Sequence, residues 1–318
     1  MRTLACSLIL VAACGGGDAA SRPSPDAAPL AIATYDQDVV DPARGREIGV
    51  RVVYPIGTTG EHAVVLISHG GFGAANGEVL FAHIGDELAS AGFVAIQLGH
   101  RMSATSEQNR LDRPADVSFV IDALASGALA LPSGFGGTLN TTRVGHTGHS
   151  AGAYTSHAVA GGAYPYGTFG DPRIAAIAPI SPQGVGDEFE AYDNGPGDST
   201  WTPVTQPVLV LLGGDELDTN GAGVFIEDGW RLRPFQRYPD VSDRLQVIVA
   251  GQGHVDMAAQ GDDDVKAFVA RNVRAFFDVY LRDGGDACAI GTIAPPAAGI
   301  SSFERRPARS GSRLGGCP

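Results

Sequence analysis

The chain has 318 residues, 44% of them hydrophobic and 18% charged, with a formal net charge of −13. That apolar content is enough for one large core or two modest ones and excludes a chain disordered throughout. The acidic balance and the lack of a basic stripe argue against a nucleic-acid surface or an anionic membrane face, both of which attract clustered Lys and Arg. Its 44 glycines and 20 prolines follow no period, which excludes collagen and repeat arrays.

At the amino terminus, Met1-Arg2 is a minimal positive start, and Leu4 to Ala13 is apolar but far too short to span a bilayer. Residues 1–13 therefore read as a signal peptide. Val11-Ala12-Ala13-Cys14 is similar to a bacterial lipobox, in which Cys14 becomes the lipidated first residue; ordinary secretory cleavage slightly later is the alternative. Residues 14–30, rich in Gly, Ala, Ser, Pro and Asp, read as a flexible tether. The expected location is outside the cytoplasm, as a cell-envelope lipoprotein (the outer membrane favoured) or a secreted protein. Any membrane contact would run through the N-terminal lipid alone.

Residues 31–318 read as a single α/β domain, because strand-like and helix-like runs alternate in the manner of a mostly parallel sheet covered by helices on both faces. Strands are expected at Ile48 to Tyr54, His62 to Ser68, Phe93 to Leu98, Arg143 to Thr147, Ile174 to Ile180, Val208 to Leu212 and Leu245 to Ala250. Helical spacing appears in Glu78 to Ala91 with Gly92 as its cap, in Asp112 to Leu124 with Pro114 early, in Tyr154 to Val159, and in a long closing helix carrying Val265, Phe268, Val269, Phe276 and Leu281. Ser181 to Gln206 is rich in Gly, Pro and Asp and too short for a lid domain. An open cleft is the expectation, with Gln183 and Trp201 near its rim.

Gly148-His149-Ser150-Ala151-Gly152 follows an apolar strand and precedes a helical run. A serine becomes nucleophilic near neutral pH only if a sharp turn exposes it beside a neutral imidazole, and Gly-x-Ser-x-Gly between strand and helix provides that turn. His69-Gly70-Gly71-Phe72 follows the strand ending at Ser68, where a loop N–H can stabilise an oxyanion. Gly71 and Ala151 are the expected donors, with Phe72 the alternative to Gly71 and also a candidate substrate contact. Chain order places the base last, and His254 is the one histidine downstream of the acid candidates. Between them, the strand Val208 to Leu212 runs into three competing carboxylates, Asp215, Glu216 and Asp218.

Cys6 would leave with the leader. In an exported domain, the remaining Cys288 and Cys317 suggest a disulfide that staples the weakly periodic tail from Gly291 to Gly316. Asp262-Asp263-Asp264 lacks the spacing of a calcium loop and reads as the start of the closing helix. No zinc pattern or phosphate loop is present, so neither a metal nor a cofactor is expected.

Ile67-Ser68-His69-Gly70-Gly71, Leu88-Ala89-Ser90-Ala91-Gly92-Phe93, Arg113-Pro114-Ala115-Asp116-Val117-Ser118-Phe119 and the Ser150 motif together resemble the bacterial predicted dienelactone hydrolases related to platelet-activating factor acetylhydrolases, over about residues 46 to 282. Ser150 stands where dienelactone hydrolases proper carry cysteine, so a general carboxylic ester is the implied substrate. Glu216-Leu217-Asp218-Thr219 resembles the catalytic-acid loop of cutinase-like polyester hydrolases, and the terminal Cys pair adds to that similarity. The resemblance implies an α/β-hydrolase fold and favours Asp218 as the acid, with Asp215 as runner-up. The expectation is an esterase acting as a monomer on small or polymeric esters, with activity falling as pH drops through about 6.5, the unperturbed histidine value. A catalytically silent binding lipoprotein, or an amidase or peptidase using the same residues, is the alternative.

Overall fold

The computed structural model describes residues 28–71, 77–186 and 199–317. The leader, Cys14, most of the tether and Phe72 lie outside the described residues. Among those described, no helix is long and apolar enough to cross a membrane.

Among the described residues, eleven strands and five α-helices run in the order β1 (Ile32–Asp41), β2 (Arg46–Pro55), β3 (Thr59–Ser68), α1 (Ala82–Ser90), β4 (Val94–Gly99), α2 (Ser106–Ser126), β5 (Gly136–His149), α3 (Ala151–Val159), β6 (Ala163–Tyr164), β7 (Gly167–Thr168), β8 (Ile174–Ile180), β9 (Val208–Gly213), α4 (Arg233–Arg237), β10 (Arg244–Val249), α5 (Asp263–Arg282) and β11 (Ile300–Arg306). Nine strands form one mixed sheet in the order β1-β2-β4-β3-β5-β8-β9-β10-β11, and β6 and β7 form a separate pair. From β4 to β10 neighbouring strands are parallel, while the pairs β1/β2, β2/β4 and β10/β11 are antiparallel. This is an α/β architecture.

Alternation along each central strand divides the core in two. Val64 and Leu66 of β3, with Val208, Val210 and Leu212 of β9, face the layer that holds Val117, Val120 and Ile121 of α2 and Tyr154 of α3. Their neighbours Val65, Ile67, Leu209 and Leu211 face Ile84 and Leu88 of α1 and Phe268, Phe276 and Phe277 of α5. Strands buried on both faces must be apolar throughout, which is why these runs are continuous. Each fully buried aliphatic or aromatic side chain contributes roughly 1.5–3 kcal/mol.

Two helices depart from expectation. The predicted helix over Glu78 to Ala91 begins only at Ala82, after a short 3-10 turn over Gly77–Val79. Gly77 lies so close to the His69 ring that a Cβ there would stand 2.2 Å from it, so docking on that ring sets the path of the turn. Helix α2 starts at Ser106, well before Asp112, because the Thr105 hydroxyl caps it by accepting from Gln108 N at 3.0 Å. Pro114 is therefore interior to α2, contrary to the early placement. The carbonyl its missing N–H would have met, that of Arg110, accepts instead from the Tyr154 hydroxyl at 2.7 Å.

Strand β5 begins at Gly136 and so extends far ahead of the predicted Arg143; its polar first half is held by β3, from Thr59 opposite Gly136 onward. The tail forms β11 on the sheet edge beside β10, and Cys288 and Cys317 form a disulfide with Cα atoms 5.1 Å apart.

Candidate active site

Strand β5 ends at His149 and α3 starts at Ala151, so Ser150 makes the whole connection. Its backbone takes φ 56° and ψ −115°, a strained conformation for a residue with a side chain. Backbone bonds over-determine it: Ser150 N donates to Ile180 O at 3.0 Å, while Ala153 N and Tyr154 N donate to Ser150 O at 2.8 and 3.0 Å. The flanking glycines answer to β3. A Cβ on Gly148 or Gly152 would stand 2.5 or 2.1 Å from the Ser68 carbonyl oxygen.

His254, after β10, donates Nδ1–H to Glu216 Oε2 at 2.7 Å, which leaves the lone pair on Nε2. Glu216 is fully buried. Its Oε1 accepts from the Ser181 hydroxyl at 2.5 Å and from Gly213 N at 2.8 Å, and the Arg231 guanidinium lies 3.3 Å from Oε2. Burial alone would raise its pKa, but the bond from His254 and the charge of Arg231 outweigh it and hold the carboxyl down at about 2.

The expected acids are placed elsewhere. Asp218 Oδ1 accepts from Gly229 N at 2.6 Å and so pins the return of its own loop. Asp215 is exposed, with its backbone N–H donated to Gln252 O at 2.9 Å. The tight turn through Gly213 and Gly214, close against β10 and Gln252, rotates Glu216 inward and its two acidic neighbours away. A Cβ on Gly213 would stand 2.1 Å from Gln252 O.

Ser150 and His254 line one cavity of about 400 Å³ together with Gly70, Gly71, Phe81, Gln183, Trp230 and Val255. Gln183 lines the cavity but is buried, with Nε2 donating to Ser150 Oγ at 3.4 Å, so it lies beside the serine and not on an open rim. Trp201 is corrected: it is fully buried in the core layer that also holds Tyr154, edge-on to His157 of α3, because the short turn Ser199–Trp201 folds its indole inward. Gly71 has φ +67°, which a side chain would strain, and a Cβ on Gly70 would stand 2.8 Å from His149 Nδ1. The His69-Gly70-Gly71 loop thus lies directly on the elbow, beside Ala151 at the first helical position, where an N–H has no intrahelical acceptor.

Sequence reasoning also passed over His149. Its ring stacks on His254 with centroids 4.5 Å apart, and its Nε2 donates to His254 O at 2.8 Å. Burial, then the nearby His254, push its pKa down to about 3, so it remains a neutral wedge that fixes the loop carrying His254. No set of three or more His, Cys, Asp or Glu among the described residues is arranged to hold a metal ion. The chain matches no known family model and no curated protein.

Proposed function

We propose that this chain is an exported serine carboxylic ester hydrolase of the α/β-hydrolase fold, acting through an acyl-enzyme on Ser150. One observation carries the reading: the Glu216–His254 hydrogen bond sits behind a serine held on a strained strand-to-helix turn, and both Ser150 and His254 open on one cavity. The order serine, acid, histidine along the chain, and a glycine loop after the third strand, agree with that fold.

In this reading Ser150 Oγ attacks the ester carbonyl while His254 Nε2 takes its proton, and a tetrahedral oxyanion forms against the N–H groups of Ala151 and Gly71. His254 then protonates the leaving alcohol. Water repeats the sequence on the acyl-enzyme and releases the acid. Glu216 stays ionised, holds the Nδ1–H tautomer and stabilises the imidazolium.

The test is hydrolysis of 4-nitrophenyl butyrate by wild type, Ser150→Ala and His254→Ala, with fluorophosphonate labelling read by mass spectrometry. Turnover and labelling at Ser150 in wild type, both lost in Ser150→Ala, are expected. A Ser150→Ala protein as fast as wild type would overturn the proposal.

A further inference from the structure

Three successive carbonyls in the loop after β3 point at fixed donors. Arg113 of α2, 1% exposed, donates Nη1–H to Gly71 O at 3.1 Å, and its Nη2 makes a short bond to His69 O. The carbonyl between them, that of Gly70, accepts from the His69 ring at Nδ1 at 2.7 Å. That ring is itself held, since its Nε2 accepts from His100 N at 3.1 Å, which assigns the proton to Nδ1. Burial, then the charge of Arg113, push the His69 pKa down to about 4, so the ring stays neutral and keeps this pattern.

A trans peptide is planar, and its N–H points opposite its C=O. Pinning the Gly70 carbonyl therefore aims the Gly71 N–H, and pinning the carbonyls on either side prevents the loop from rotating around it. The same guanidinium donates Nε–H to Thr155 Oγ1 at 3.1 Å, and Thr155 in turn donates to Ala151 O at 2.9 Å in the first turn of α3. One side chain thus spans the two segments that carry the two expected oxyanion donors.

We infer that Arg113 is a positioning residue that sets the oxyanion-binding geometry by tying the His69-Gly70-Gly71 loop to the first turn of α3. This rests on the esterase reading above. Because the geometry it sets is used only when the carbonyl becomes tetrahedral, its loss should lower kcat and leave KM nearly alone.

The experiment compares wild type, Arg113→Met and Arg113→Lys on 4-nitrophenyl butyrate. Rates are taken per active site titrated with fluorophosphonate, and affinity is measured for an alkyl boronic acid, which mimics the tetrahedral adduct. For Arg113→Met we expect about a 10²-fold fall in kcat, the low end for losing a whole oxyanion donor, a parallel fall in boronate affinity, and KM within about threefold of wild type. Arg113→Lys keeps the charge and can reach one acceptor, so it should recover about tenfold of that loss. If Arg113→Met does not fold, Arg113→Lys decides alone, by kcat and boronate affinity both about tenfold below wild type at unchanged KM. A merely structural arginine would reduce the titrated fraction and leave both quantities per site unchanged, and that result overturns the inference while the esterase reading stands. Turnover that survives Ser150→Ala overturns both.

Discussion

Glu216 Oε2 and His254 Nδ1 lie 2.7 Å apart, and in the proposed esterase this bond makes Glu216 the acid in place of Asp218, two residues downstream. A carboxylate there fixes which ring nitrogen carries the proton, and an amide in its place would favour the wrong tautomer. Glu216→Gln should lower kcat by about 10³–10⁴-fold, as loss of the corresponding acid does in serine proteases. Asp218→Asn should leave kcat within twofold. It weakens only the bond to Gly229 N, which costs about 1 kcal/mol and lowers Tm by about 2 °C. A larger kcat loss in Asp218→Asn than in Glu216→Gln would reverse the assignment.

What was legible in the sequence follows from burial. Ile174 to Ile180 is buried at every position but Ala175, which is partly buried, and reads correctly at both ends, because a strand covered on two faces must be apolar throughout. Strands β1 and β11 lie on the sheet edges and alternate partly exposed and polar residues, so nothing in Ile32–Asp41 or Ile300–Arg306 announced them. That Ser150 sits on a strand-to-helix turn could be read from its flanking glycines and the strand before it, and the structure brings His254 to the same cavity. Choosing among Asp215, Glu216 and Asp218 depends on how the turn after β9 packs on Gln252, a contact across some 40 residues that no local pattern encodes. Arg113 was visible as part of a motif, but its partners His69, Gly71 and Thr155 come from two other segments.

Pro114 and Tyr154 supply a test of the fold that is independent of the chemistry. Because Pro114 cannot bond the Arg110 carbonyl, Tyr154→Phe leaves that oxygen without the hydroxyl, at a cost of about 1–3 kcal/mol. Adding Pro114→Ala restores a backbone N–H four residues on, so the double variant should unfold at a higher urea concentration than Tyr154→Phe alone. No recovery in the double variant would mean the hydroxyl is not the substitute donor.

Buried histidines set the acid limit of stability. Burial leads in lowering His69 to about 4 and His146, His149 and His157 to about 3. Their unfolded values stay near 6.5, so below that pH the unfolded chain takes up protons that the folded one refuses, and stability falls as pH drops from 6.5 toward 4. Each such group contributes up to about 1.4 kcal/mol per pH unit in that window. Glu216 acts lower: its stabilisation is complete above the ordinary carboxyl value of 4.5 and is lost only as pH falls toward about 2. It therefore stays charged wherever the protein is folded and does not supply the acid limb of the activity profile. Urea midpoints should change little from pH 7.5 to 6.5 and drop steadily from there to pH 5; identical midpoints at pH 6.5 and 5 would refute the neutral assignment.

The disulfide should stabilise without serving the chemistry. Closing Cys288 to Cys317, 29 residues apart, is worth about 3–4 kcal/mol on the chain-entropy view. Cys288→Ala with Cys317→Ala should lower Tm by about 5–7 °C. Ester turnover at 25 °C should stay within twofold, since Ser150, Glu216 and His254 follow β5, β9 and β10, and β11 can stay paired with β10 when the disulfide beyond it is lost. A parallel loss of turnover in a folded double variant would tie the tail to the site.

The walls of the cavity predict which esters enter. None of its described lining residues is Asp, Glu, Lys or Arg, and the nearest cation to the acid, Arg231, is engaged with Glu216, Thr219 O and Ser181 O. A substrate carboxylate would give up hydration without gaining a partner, in the field of a chain with net charge −13. 4-Nitrophenyl butyrate should therefore exceed the mono-4-nitrophenyl ester of succinate by at least about tenfold in kcat/KM, about 1.4 kcal/mol, and added salt should narrow the gap by screening its long-range part. Equal rates for the two esters at low salt would show that a cation does reach the bound acyl chain.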